Sequence, residues 1–130
     1  MKKLFISQPM KGLSNEQIEN VRESAIEAGT ARIKEVYGED EPVEVLESFF
    51  KDAPHDAAPL WFLGESLKML STADVAYFCE GWEDARGCRI ENDCAIAYDL
   101  PLVVEDYSGM TRVCRNTRDR IIETKMTAKS

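Results

Sequence analysis

Apolar positions recur along this chain in two rhythms that predict alternating strands and helices. Leu4-Phe5-Ile6 is a short apolar run closed by Ser7-Gln8-Pro9-Met10-Lys11-Gly12. A proline without an amide hydrogen does not continue a central strand, so a strand ends there in a loop. Ser14-Asn15-Glu16-Gln17 is a capping box, whose serine hydroxyl and glutamine side chain satisfy free amides at a helix start. Ile18, Val21, Ala25, Ala28, Ile33 and Val36 then recur at close to helical spacing, and Gly38 stands where a helix ends. Pro42 to Leu46 alternates like a second strand after an acidic turn. Residues 48–58 keep neither period, and their Phe49 and Phe50 either cover a pocket or tuck under a surface connection. From Pro59, a good first helical residue, Leu60, Leu63, Leu67 and Leu70 form a stripe expected to be core. Ala73 to Cys79 is almost continuously apolar, as in a strand buried on both faces. After Gly87 a helix is predicted with Ile90, Cys94, Ala97 and Tyr98 on one side, and Pro101 to Val104 reads as a fourth strand.

Strand and helix alternating four times predict an α/β fold: a three-layer, doubly wound, mostly parallel sheet of flavodoxin-like type. In such sheets ligands sit beyond the C-terminal strand ends, which directs attention to loops 7–12, 48–58 and 80–91. Across 130 residues there are 16 basic and 24 acidic side chains, but they are unevenly spread. Residues 1–106 hold 10 basic and 22 acidic groups, a balance of 10 − 22 = −12, and residues 107–130 hold 6 and 2, a balance of +4. We therefore divide the chain into an α/β domain, 1–106, and a basic C-terminal extension, 107–130. An acidic body repels nucleic acid, so nucleic acid is not an expected partner. No apolar run approaches the roughly 20 residues of a membrane span, and the basic start, Met1-Lys2-Lys3, precedes too short an apolar run for a signal-peptide core. A cytoplasmic location is expected. Cys79, Cys88, Cys94 and Cys114 lack a Cys-x-x-Cys pair and have only His55 to help them, so neither a metal site nor a disulfide framework is expected. His55 itself reads as a surface residue of a polar loop.

No glycine-rich dinucleotide loop follows the first strand and no Walker lysine loop is present, so no cofactor is expected. The loops also lack the acidic residues of a receiver domain and the Ser/Thr-rich phosphate loop of a flavodoxin. The distinctive block is Glu80-Gly81-Trp82-Glu83-Asp84 followed by Ala85-Arg86-Gly87-Cys88-Arg89-Ile90-Glu91. With Phe5-Ile6-Ser7-Gln8-Pro9-Met10-Lys11-Gly12 it resembles the nucleoside 2-deoxyribosyltransferase superfamily, which includes nucleoside 5′-monophosphate N-glycosidases. Within it, the match is to a small bacterial and phage branch with Gln-Pro-Met and Gly-Trp-Glu…Arg-Gly-Cys-Arg-Ile-Glu signatures. The resemblance spans about residues 3–104.

The resemblance implies cleavage of the bond between base and sugar in a nucleoside or nucleoside 5′-monophosphate, by hydrolysis or transfer. Glu91 falls on the nucleophilic glutamate, which attacks the anomeric carbon to form a glycosyl-enzyme. Taken alone, a glutamate near a helix start is an exposed acid favoured by the helix dipole. Asp84 matches an acidic residue that helps handle the base. Ser7, Gln8, Pro9 and Met10 fall on the loop that lines the sugar pocket. Gly81 and Gly87 permit close backbone approach, and amides at the helix start can hold a phosphate. Arg86 and Arg89 form an anion site or pair with Glu80, Glu83 or Asp84. Trp82 stacks on a base or caps the strand end. Ser66 stands where the family carries its second carboxylate, and a serine does not replace a carboxylate proton carrier. Its neighbour Glu65 would point about 100° away on a helix. Either Asp84 or Asp56 takes that role, or the chain is a non-catalytic nucleotide-binding or sensor protein. Family members form homo-oligomers, so a homo-oligomer is the implied assembly. Beyond the resemblance, Met110, Val113, Thr117 and Ile121 share one side of a helix predicted over 110–125, apart from Arg115, Arg118 and Arg120. That basic helix is expected to dock on an acidic neighbour or to supply cations to a phosphate.

Overall fold

The computed structural model describes residues 1–48 and 53–105, together with the backbone of 110–114 and 123–126. Six strands and three helices occur among them: β1 (Lys2–Ser7), α1 (Asn15–Tyr37), β2 (Val43–Val45), α2 (Pro59–Leu70), β3 (Val75–Phe78), α3 (Arg86–Ala97), β4 (Leu102–Glu105), β5 (Met110–Cys114) and β6 (Glu123–Met126). A 3-10 turn, Trp82–Asp84, precedes α3. The strands form one sheet in the order β2-β1-β3-β4-β5-β6. The pairs β1–β2, β1–β3 and β3–β4 are parallel, and β4–β5 and β5–β6 are antiparallel. The chain is thus α/β, with the predicted parallel strands at its centre.

Alternation along each strand sorts side chains between two cores. Leu4 and Ile6 of β1, with Val75 and Tyr77 of β3, pack against Ala25 and Ile33 of α1. Phe5 of β1, with Ala76 and Phe78 of β3, packs against Leu70 of α2 and Ala95 of α3. Helices therefore cover both faces of the sheet. The α1 helix starts as its capping box dictates: Ser14 Oγ accepts from the Gln17 amide, and Gln17 Oε1 accepts from the Ser14 amide. It crosses the sheet closely at Gly29, where an added Cβ would lie 2.9 Å from Leu4 Cδ2. No helix among the described residues is long and apolar enough to cross a membrane.

Three expectations need correction. Leu60 of the leucine stripe is 75% exposed, and only Leu70 of the four is fully buried. The spacing identified the apolar side of α2 but not where the surface beneath it ends. The inner side of α3 is Cys88, Glu91, Asn92 and Ala95, whereas Tyr98 is 86% exposed. Two polar residues, Glu91 and Asn92, face inward there, so the apolar side meets the core at Cys94 but not at Tyr98. Finally, where a helix was predicted over 110–125, Met110–Cys114 and Glu123–Met126 are strands that extend the sheet beyond the boundary at 106. Thr111 and Val113 are β-branched and favour extended backbone, and pairing of Leu102–Glu105 with Thr111–Cys114 supplies ladder hydrogen bonds that a lone helix would forgo. The remaining residues of that predicted helix, with Phe49 and Phe50, lie outside the described residues.

Candidate functional site

Chain direction reverses between β1 and β3: from β1 the connection runs outward to β2, and the next strand returns to the other side of β1. In sheets of this kind ligands sit beyond the C-terminal strand ends at such a reversal, here beyond Ser7 and Phe78. Ser7 closes β1 there, its carbonyl accepting from the Cys79 amide at 2.9 Å. Because Ser7 is two residues after Phe5, it shares the sheet face covered by α2 and α3.

Opposite it, α3 presents Glu91. This residue is 7% exposed, which removes the reading of an exposed helix acid. Ser7 Oγ donates to Glu91 Oε1 at 2.7 Å. The Ser66 hydroxyl on α2 lies near enough to favour the charged form of the same carboxylate. Three elements distant in sequence thus converge on one carboxylate. Burial pushes the Glu91 carboxyl above its usual range, because the charged form loses hydration; the two hydroxyls oppose that shift by favouring the anion. Cys88, one turn before Glu91, is buried near Ser7. Its thiol is pushed up to about 11, first by burial and then by the neighbouring Glu91 charge, with the Ser7 hydroxyl opposing. Sequence reasoning overlooked Cys88. Its i, i+3 relation to Glu91 was the available signal.

The other candidates surround this centre at varied depths. Gln8 is buried, and its Nε2 donates to the Ile18 carbonyl of α1 at 3.0 Å while its Oε1 is buried without a partner among the described residues. Met10 closes the turn, its carbonyl accepting from the Leu13 amide at 3.1 Å. The two strand-end loops meet at Pro9 and Gly81: a Cβ on Gly81 would lie 3.5 Å from Pro9 Cγ. Gly81 has φ of +90°, a conformation that favours glycine and turns the chain into the 3-10 turn. Trp82 packs as a strand cap, its ring centroid 5.8 Å from that of Phe78, with Nε1 buried and unpartnered among the described residues. Asp84, Arg86 and Arg89 are exposed. Gly87 has nothing within 4 Å of where a Cβ would sit, so it leaves open space and no close protein contact requires it. Ala85 gives the start of α3 no side-chain cap. His55 and Asp56 are exposed in the 53–58 segment.

A second polar cluster lies on the α1 face. Arg22 is buried, donating from Nη1 to Ser48 Oγ at 3.1 Å and from Nη2 to the Leu46 carbonyl at 2.7 Å. Ser48 Oγ in turn donates to the Ile6 carbonyl at 2.9 Å. These bonds tie β2 and α1 to the end of β1. Tyr77, fully buried, donates to Glu105, whose other oxygen accepts from the Glu80 amide at 3.1 Å. Burial, then the Glu105 bond and charge, pushes the Tyr77 phenol up, so it stays a donor. The strand-end loop that begins at Glu80 is thereby fastened to β4. Among the described residues, no group of three or more His, Cys, Asp or Glu could hold a metal ion. Compared with known proteins, the sequence matches no family model and shows no significant similarity to any curated protein.

Proposed function

We propose that the chain acts on the N-glycosidic bond of a nucleoside or nucleoside 5′-monophosphate, with Glu91 as the nucleophile, as its likeness to the nucleoside deoxyribosyltransferases implies. The observation that carries this reading is the buried Glu91 carboxyl held by the Ser7 hydroxyl at the C-terminal end of β1, with Ser66 of α2 beside it. A nucleophile must be fixed in orientation, and the hydrogen bond from a separate element, β1, fixes this one. The uncapped start of α3 and the open space at Gly87 leave room for a sugar or phosphate beside it. Attack of the carboxylate on the anomeric carbon releases the base, and water or a second base resolves the glycosyl ester with retention. Asp84, exposed in the 3-10 turn before α3, is the residue we assign to contact with the base. In this reading the assembly is a homo-oligomer.

Incubating pure protein with a panel of nucleosides and 5′-nucleotides tests the proposal. Free base is expected, and Glu91→Ala should abolish its release; no release from any substrate would refute it. A second reading, a nucleotide sensor, is favoured by the Ser66 hydroxyl standing against Glu91 where a second carboxylate would carry protons. It predicts that a nucleotide raises the melting temperature without turnover.

A further inference from the structure

The polar surroundings of Glu91 bear on which N-glycosides it can attack, an inference that rests on the reading of Glu91 as a nucleophile. Among the described residues, the side chains that favour its charged form are the hydroxyls of Ser7, which donates to Oε1 at 2.7 Å, and of Ser66. Hydroxyls offer hydrogen bonds without charge, so they leave a buried anion with its hydration lost and its charge uncompensated. A positive charge brought against Glu91 would correct that deficit. The same two groups are very weak acids. A neutral purine or pyrimidine departs as an anion unless an acid protonates it, and neither serine is suited to supply that proton. The wider field acts in the same sense, since residues 1–106 carry 22 acidic and 10 basic side chains and so draw cations toward the domain.

We propose that this site is selective for N-glycosides whose leaving group already carries the positive charge, namely N-ribosyl pyridinium compounds and N7-alkylated purine nucleosides. The step balances without an acid. A Glu91 oxygen bonds to C1′ as the C1′–N bond breaks, and the bonding pair remains on the ring nitrogen and cancels its charge. A neutral pyridine or purine leaves and takes no proton. Water then attacks C1′, the C1′–O bond to Glu91 breaks with its pair returning to the carboxylate, and the water proton passes to solvent. Binding and chemistry thus draw on one feature: the cation compensates Glu91 before the reaction and is consumed by it.

The test compares N7-methylguanosine with guanosine, which differ by one methyl group and one charge, and N-ribosylnicotinamide with uridine, using the intact protein and subtracting the uncatalysed rate. The cationic member of each pair should be cleaved with a kcat/KM at least about 100-fold higher, the lower range of what a general acid contributes. The rate with N-ribosylnicotinamide should also show no alkaline limb from loss of a catalytic proton. Equal or faster cleavage of guanosine and uridine would overturn the selectivity while leaving the N-glycosidase reading intact. An alkaline limb with N-ribosylnicotinamide, whose ring has no proton to lose, would overturn it too. No release from any of the four, with folding confirmed by circular dichroism, would remove both readings together.

Discussion

Replacing Ser7 by alanine isolates the bond on which the site geometry depends. The deleted hydroxyl donates to Glu91 Oε1 at 2.7 Å between two buried residues. A hydrogen bond to a charged group contributes about 1.5–3 kcal/mol. Set against about 1 kcal/mol for the same bond to the neutral acid, its loss should raise the Glu91 pKa by roughly 0.4–1.5 units, at about 1.36 kcal/mol per unit, beyond the upward displacement it already has. The same quantity sets a pH-dependent stability. Burial raises the folded-state value of Glu91 above its ordinary 4.5. The fold thus favours the neutral acid, and this contribution is fully present below pH 4.5 and lost as pH rises through the folded value. In Ser7→Ala the loss at higher pH is larger, because the buried anion has one donor fewer. The variant should therefore be destabilised by about 1 kcal/mol at pH 4, the worth of a neutral hydrogen bond, and by about 1.5–3 kcal/mol at pH 8. Urea unfolding of both proteins at the two pH values measures the difference, and carbon-13 NMR of labelled glutamate carboxyls follows Glu91 directly. In a Glu91→Gln background, Ser7→Ala should cost about 1 kcal/mol at both pH values. A destabilisation independent of pH, or a Glu91 pKa that falls, would refute the assigned role of the serine.

Two further predictions concern packing and burial. Gly29→Ala places a Cβ 2.9 Å from Leu4 Cδ2 and 3.3 Å from Tyr77; overpacking of about 1–3 kcal/mol should outweigh the roughly 1 kcal/mol of helix propensity gained, for a net loss near 1 kcal/mol in urea unfolding. A more stable variant would mean that α1 sits farther from the sheet than described. Cys88, buried with its thiol pushed up to about 11, should resist alkylation by iodoacetamide at pH 8 until the protein unfolds. Modification in the native protein, located by peptide mass spectrometry, would contradict its burial.

Much of this architecture was legible from local chemistry. The capping box at Ser14, the proline opening α2 and the apolar run of β3 act within a few residues of themselves, and each element formed where those signals lie. Side-chain facing was harder. Hydrophobic periodicity takes the inner side of a helix to be apolar, and α3 turns Glu91 and Asn92 inward, so its apolar side is core at Cys94 and surface at Tyr98. Glu91 was reached through its motif, not through its burial. Ser66 is legible in the sequence only as a missing carboxylate; its closeness to Glu91 depends on how α2 and α3 lie across the sheet, which spacing does not encode. In the tail, the apolar spacing from Met110 fits a helix and the β-branched content fits a strand, and pairing with β4 decides between them.

The Ser7–Glu91 bond joins residues 84 apart. A ribosome adding about 5–20 residues per second needs roughly 4–17 seconds to deliver the second after the first. During that interval β1 can pair with β2 but lacks β3 on its other side, because the register Leu4–Val75 to Ser7–Phe78 awaits residues made much later. The nascent chain therefore holds a central apolar strand with one open edge for seconds, a topology that folds slowly and is exposed to misassociation while it waits. The acidic residues along α1, Glu16, Glu19, Glu23 and Glu27, emerge in that same interval and give the incomplete chain a repulsive charge.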